Sequence, residues 1–272
     1  EPLEIMYNNH QILTNPPPSA GGCLIGFALD MLEGNLGDKF GTLEHLTTIK
    51  EAMQLTNLAR IESTASEQHF PDPESLFSND LLSRYRKEVL DRVRAYRGTT
   101  HISIIDRDNN VAAITVSNGE GCGQILPGTG IMLNNMLGEE DLNPSGFFKW
   151  QPNQRMSSMM APTIVHTADN HLIATGSGGS NRIRSAILQV LINLLDFEMD
   201  VEGAVAAPRI HYEDEVTYIE GGFSTETLQD MMRRYSQHRT WDDQNMFFGG
   251  VHTGLSKDNK FFGAGDIRRG GV

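Results

Sequence analysis

At Thr99 the sequence changes its period, and that change limits the folds open to the chain. His101 to Asp106 and Val111 to Ser117 alternate in polarity around Arg107-Asp108-Asn109-Asn110. Alternation at period two about turn-forming residues predicts a β-hairpin. Gly119 to Gly130 follows as a loop with five glycines, and the apolar Ile131-Met132-Leu133 predicts a short strand. Residues 138–156 are polar, carry Pro144 and Pro152, and predict a long excursion. Thr163 to Thr167 and Leu172 to Thr175 predict a second strand pair. Gly176-Ser177-Gly178-Gly179-Ser180 then leads into an amphipathic helix to about Phe197, apolar at Ile183, Ala186, Ile187, Val190, Leu191 and Leu194. Ser180 suits its N-cap. Shorter helices are predicted near 201–206 and 225–236, the second capped by Ser224. Phe261 to Val272 shows no terminating element.

Before Thr99 the period is helical. Asn15 to Gly22, with three consecutive prolines and a glycine pair, is a stiff turn followed by a pliant one. Cys23 to Leu32 predicts an apolar helix. Thr42 to about Ile61 predicts another, with Leu46, Ile49, Ala52, Met53 and Leu58 at helical spacing. Residues 62–80 read as loop and Leu81 to Arg94 as a charged helix. Helices, then hairpins, then helices suit sheets covered by helices rather than a Rossmann alternation.

The charge balance narrows the partners. The net charge of −13 across 272 residues lacks the basic footprint that nucleic acid or an anionic membrane surface requires. No apolar stretch approaches the roughly 20 residues of a membrane span. Two cysteines, Cys23 and Cys122, lie far apart without a Cys/His cluster, so no structural zinc site is expected. A disulfide and two free thiols both stay open. No cofactor is called for.

A threonine at the start of a strand is ordinary by itself, because β-branched side chains suit strands. The order of motifs around Thr99-Thr100-His101 is not ordinary. Pro17 to Gly22, Pro127 to Asn135, Met156 to Thr163, Gly176 to Arg182, Ala206 to Arg209 and Gly263 to Asp266 stand around it in one sequence. In this the chain resembles the gamma-glutamyltransferases over essentially its whole length. The resemblance implies an α+β fold, the four-layer αββα sandwich of N-terminal-nucleophile hydrolases. It also implies a self-made cut between Gly98 and Thr99 that turns Thr99 into an N-terminal nucleophile. Residues 1–98 would then be the C-terminal part of a large-subunit region, and 99–272 a small-subunit-like catalytic region. Ser117 matches a hydroxyl beside the nucleophile. Gly178 and Gly179 match the oxyanion hole, and Ser157 and Ser158 a pair that holds the substrate α-carboxylate. Glu139 stands where an aspartate normally binds the α-amino group. Asn118 or Gly119 takes the place of a family asparagine, and Met136 removes a polar contact.

The activity implied is transfer or hydrolysis of γ-glutamyl amides such as glutathione, with another acyl amide as the alternative within the class. A non-catalytic relative or a truncated, uncleaved fragment is the alternative outside it. The partners implied are a small acyl-amide substrate and the N-terminal half of a precursor, which would complete the sheets and supply an arginine for the substrate carboxylate. A homo-oligomer and the compartment stay open.

Overall fold

The computed structural model describes residues 1–64, 99–139, 142–143 and 146–271. The charged helix expected over 81–94, the loop from residue 65 onward and Gly98 lie outside them. The chain opens on a hairpin, β1 (Leu3–Tyr7) and β2 (His10–Thr14). Its turn residues Asn8 and Asn9 both have positive φ, 46° and 64°. Asparagine tolerates that region, and two such residues give a turn whose twist matches its strands. Helix α1 (Ala20–Leu32) starts three residues before the apolar run that announced it. Helix α2 (Leu43–Thr64) follows Thr42, whose hydroxyl accepts the His45 N–H at 3.2 Å.

The hairpin read from the alternation is β3 (Thr99–Ile105) and β4 (Val111–Ser117), with Thr99 opposite Ser117. Asp106 builds its turn. Its carboxylate accepts from the side chain and backbone of Asn110 and from the Asp108 N–H, at 2.8–2.9 Å. Those bonds, the Asn110 side chain first, hold the carboxyl below its usual range. Then come β5 (Thr163–His166), β6 (Leu172–Gly178), α3 (Arg182–Leu195), α4 (Val201–Ala206), β7 (Ile210–Glu213), β8 (Val216–Ile219), α5 (Thr225–Arg234), β9 (His238–Thr240), β10 (Gly250–Lys257) and β11 (Lys260–Ala264). Ser224 caps α5 through the Thr227 N–H, as its position predicted.

The strands form three sheets. The largest runs β1-β2-β5-β6-β10-β11, each neighbour antiparallel, so strands from both sides of Thr99 share it. The β3–β4 hairpin lies over one face of this sheet, above β6 and β10. Helices α1 and α3 cover the other face, and α2 packs outside them with the three-stranded sheet β7-β8-β9. The core fills the helix side: Leu24 and Phe27 of α1, Leu46 and Ile49 of α2 and Ile187 and Leu191 of α3 meet Ile12, Val165 and Ile173 of the sheet. The architecture is α+β, and its order helix, sheet, sheet is that of an αββα sandwich. Ile102, Ile104, Ile114 and Val116 stand on the outer face of the hairpin, each about half exposed.

Four sequence expectations are corrected. Gly176 to Gly178 are strand, not turn, because pairing with β10 holds them extended. Ser180 is not the N-cap of α3. It has φ 53°, Asn181 occupies the cap position, and the carbonyls of Gly179 and Ser180 take the N–H groups of Arg182 and Ile183. Ile131 to Leu133 form no strand; a single pairing of Ile125 with Met132 closes a solvent-facing loop. The last segment is structured: β11 is the edge strand of the large sheet, and a 3-10 turn, Ile267–Arg269, is capped by Asp266. Both cysteines are free thiols, Cys23 buried in α1 and Cys122 exposed.

Candidate active site

Thr99 sits where three segments meet at one end of the large sheet. Its hydroxyl lies 3.1 Å from that of Ser117, directly across the hairpin, and Ser117 Oγ also accepts the Gly119 N–H at 3.0 Å. Beneath Thr99 lies Gly178. A Cβ added there would come within 2.1 Å of the Thr99 carbonyl oxygen, so only a glycine admits β3 at this distance. Two residues along, a Cβ at Gly176 would meet the His101 ring at 2.3 Å. The two glycines of β6 therefore admit the Thr99 backbone and the His101 ring of β3 and bring the sheets together at Thr99.

The turn after β6 is also built by glycine. Gly179 has φ 138°, and a Cβ there would meet Gly249 Cα at 2.9 Å. Gly249, with φ 79°, lies against the Gly178 carbonyl, and a Cβ on Gly250 would meet the Arg269 side chain at 2.7 Å. Nothing in the sequence reading singled out Gly249, Gly250 or Arg269. The Gly249-Gly250 pair before an alternating run was the available signal.

The histidine two residues along β3 is turned away from the Thr99 hydroxyl. His101 is buried, with Nδ1 on Thr115 Oγ1 at 2.7 Å and Nε2 on Ser103 Oγ at 2.9 Å. Burial, then the neighbouring His252, pushes its pKa down to about 4. Its ring is neutral at neutral pH, and both nitrogens are occupied away from Thr99.

The loop beyond Ser117 wraps around Asn135. That side-chain oxygen accepts the N–H groups of Glu120 and Gly121 at 2.7 and 3.0 Å, and the Asn135 N–H donates to the Asn118 carbonyl. Gly119 is buried with φ 63°. A Cβ there would lie 2.3 Å from Asn135 Oδ1 and 2.5 Å from Glu139 Oε1. The Glu139 carboxylate thus rests against the residue bonded to Ser117. Asn118 is exposed and contributes its backbone.

Ser157 and Ser158 belong to a segment docked on α1. The Ser158 carbonyl accepts the N–H groups of Ala20 and Gly21 at 2.8 and 3.3 Å, and the Ser19 hydroxyl donates to the Met160 carbonyl at 2.6 Å. Gly21 leaves room for Met159, whose carbonyl oxygen would be 2.2 Å from a Cβ. Because β5 runs antiparallel to β6, this segment approaches the sheet end that carries Gly178 and Thr99. No hydrogen bond joins either serine to Thr99. The last two motifs meet in a buried ion pair, Arg209 to Asp266 at 2.7 Å, extended by Arg268 to Glu220 at 2.7 Å. Among the described residues no three His, Cys, Asp or Glu side chains gather as metal ligands.

The chain is 29% identical over 263 residues to the glutathione hydrolase proenzyme of Escherichia coli (strain K12), covering 84% of this chain and 45% of that protein. It is 29% identical over 252 residues to the acylase ACY 1 proenzyme of Pseudomonas sp. (strain SE83), covering 86% of this chain and 45% of that one. The chain spans about half the length of these relatives. A solved structure, cephalosporin acylase from Bacillus halodurans, shares the fold with a TM-score of 0.79 at 21% identity, over 100% of this chain and 52% of its own. The gamma-glutamyltranspeptidase family model matches residues 1–272. From first residue to last, the chain belongs to the gamma-glutamyltranspeptidase family.

Proposed function

We propose that Thr99 is the nucleophile of an acyl-transfer enzyme acting on γ-glutamyl amides, and that it is released by cleavage after Gly98. The observation that carries this reading is the Thr99–Ser117 hydroxyl pair seated on Gly178 at the end of β6. A threonine hydroxyl needs a base, and His101 is turned away and neutral. An α-amine on Thr99 itself, titrating near ~7.7–8.0 when unperturbed, would supply one. In the cut, Thr99 Oγ1 attacks the Gly98 carbonyl carbon and the peptide C–N bond breaks. Water then hydrolyses the resulting ester, leaving a carboxylate on Gly98 and an amine on Thr99.

In turnover the α-amine takes the hydroxyl proton as Oγ1 attacks the γ-carbonyl. The oxyanion forms toward the N–H groups of Gly178 and Gly179, near the start of α3, whose dipole favours negative charge. The leaving amine departs with the proton. Water or an acceptor amine then attacks the acyl ester, giving hydrolysis or transfer. Ser117 orients the hydroxyl, Ser157 and Ser158 hold the substrate carboxylate, and Glu139 binds its α-amino group.

The two relatives named above are proenzymes. The remaining half of such a precursor is the partner proposed for the open hairpin face carrying Ile102, Ile104, Ile114 and Val116. The similarity to an acylase and the presence of Met136 and Glu139 in the loop favour a second reading, a non-glutamyl acyl amide as substrate. One experiment tests both. Protein carrying its natural N-terminal extension is followed by intact mass for cleavage at Gly98/Thr99. It is then assayed on a γ-glutamyl anilide and on a des-amino acyl anilide, with Thr99→Ala as control. Cleavage and turnover lost together in Thr99→Ala support the assignment, and the preferred anilide selects the substrate. An uncleaved, inactive protein would identify a non-catalytic relative.

A further inference from the structure

Behind the Gly179–Asn181 turn that follows β6 lies a buried polar cluster that the mechanism above does not use. Asn181, at the N-cap position of α3, is 1% exposed, and its Nδ2 donates to Glu213 Oε1 of β7 at 2.6 Å. Glu213 is 5% exposed and meets His211 Nε2 through Oε2 at 3.4 Å, with Arg182 Nη1 at 4.0 Å. His211 Nδ1 lies 2.8 Å from Ser185 Oγ, one turn into α3. Burial pushes the Glu213 carboxyl up, but His211, then Arg182 and Arg184, outweigh it and keep the group ionised. A carboxylate only accepts, so the contact from His211 Nε2 to Glu213 is made by a protonated nitrogen, while the Ser185 hydroxyl lies between His211 Nδ1 and the Arg182 carbonyl.

The turn needs an anchor. Gly179 and Ser180 have φ 138° and 53°, and a left-handed serine costs about 1 kcal/mol or more. A strained conformation persists only where its surroundings over-determine it. Asn181 is the next residue, and its buried Oδ1 meets no partner among the described residues. Its amide is therefore oriented by the bond to Glu213. If the amide flipped, its oxygen would face the carboxylate.

We propose that Glu213 is a positioning residue for acyl transfer, holding the Gly179–Ser180–Asn181 turn, and with it the Gly178 and Gly179 N–H groups, through the Asn181 side chain. It touches no substrate. The inference rests on the oxyanion role assigned above to Gly178 and Gly179, and the test separates the two.

Hydrogen exchange of the amides of residues 178–182 is compared in the unaltered protein, Glu213→Leu, Glu213→Gln and Asn181→Ala, alongside turnover of a γ-glutamyl anilide. Glu213→Leu and Asn181→Ala should each speed exchange in the turn about tenfold or more while β3, β10 and α2 stay protected. Both should lower kcat about 10- to 100-fold at unchanged KM, the loss expected for one bond to a charged group. Glu213→Gln keeps an acceptor for Asn181 and should recover most of both effects. Normal turn exchange in Asn181→Ala, or loss of protection throughout the molecule in every variant, would overturn the proposal. If the unaltered protein shows no turnover, the acyl-transfer reading falls. The exchange comparison still decides whether Glu213 holds the turn.

Discussion

Replacing Gly178 by alanine tests the seating of Thr99 with one methyl group. The new Cβ would stand 2.1 Å from the Thr99 carbonyl oxygen and 2.9 Å from its carbon, where ordinary contact begins near 3.4 Å. One backbone must retreat by about 1.3 Å, the difference between 3.4 and 2.1 Å. Both backbones are held by strand pairing: β6 by β5 and β10, and Thr99 by Ser117. Overpacking of this kind costs about 1–3 kcal/mol. Gly138→Ala is the matched control, since nothing lies within 4 Å of its Cβ. There the same entropy change in the unfolded chain should stabilise by up to about 1 kcal/mol. Both variants share that entropy change, so urea unfolding should separate them by the overpacking cost, about 1–3 kcal/mol. A misplacement near 1 Å at the reacting atoms should also cost turnover about 100-fold. Equal stability of Gly178→Ala and Gly138→Ala would show that β3 does not rest on Gly178, and the account of the site would fail with it.

Thr99→Ala should abolish the cut after Gly98, read as a single band on a denaturing gel; normal fragmentation would move the nucleophile elsewhere. Glu139→Gln should raise KM for α-amino substrates more than for des-amino amides, and equal effects in steady-state assays would reduce Glu139 to a solvated acid. His101 and His45 are both pushed by burial from 6.5 to about 4, so the unfolded chain binds protons before the folded one does. Their stabilisation is complete above pH 6.5 and is lost as pH falls to 4, up to about 3 kcal/mol each. Unfolding free energies unchanged between pH 7 and pH 4.5 would contradict that. Asp266→Asn should destabilise by about 3–5 kcal/mol, because it leaves the buried Arg209 guanidinium without its paired carboxylate while Arg268 keeps Glu220; calorimetry showing no change would mean that the pair is solvated.

What the sequence determined by itself was local. The β3–β4 hairpin follows from alternation around a turn that Asp106 stabilises within five residues. Helix α3 follows from its apolar stripe, and the α5 cap from Ser224. Motif order led to Thr99, Ser117, Gly178 and Glu139. Other local signals went unread: the Asn8-Asn9 turn of β1–β2 and the run of β10 after Gly249; β7, β8, β9 and β11 are short and show no clean period. The tertiary structure decided the rest. It made Gly176 to Gly178 a strand by pairing them with β10, and it removed Ser180 from the cap position by letting backbone carbonyls satisfy the first N–H groups of α3. It chose Gly119 over Asn118 as the residue packed beneath Asn135 and Glu139. It also revealed why the glycines are needed, at Gly178 under Thr99, Gly176 under His101 and Gly249 against Gly178. A glycine's permissiveness is visible in one dimension. The atom that would collide with its missing side chain comes from a strand tens of residues away, and only packing brings the two together.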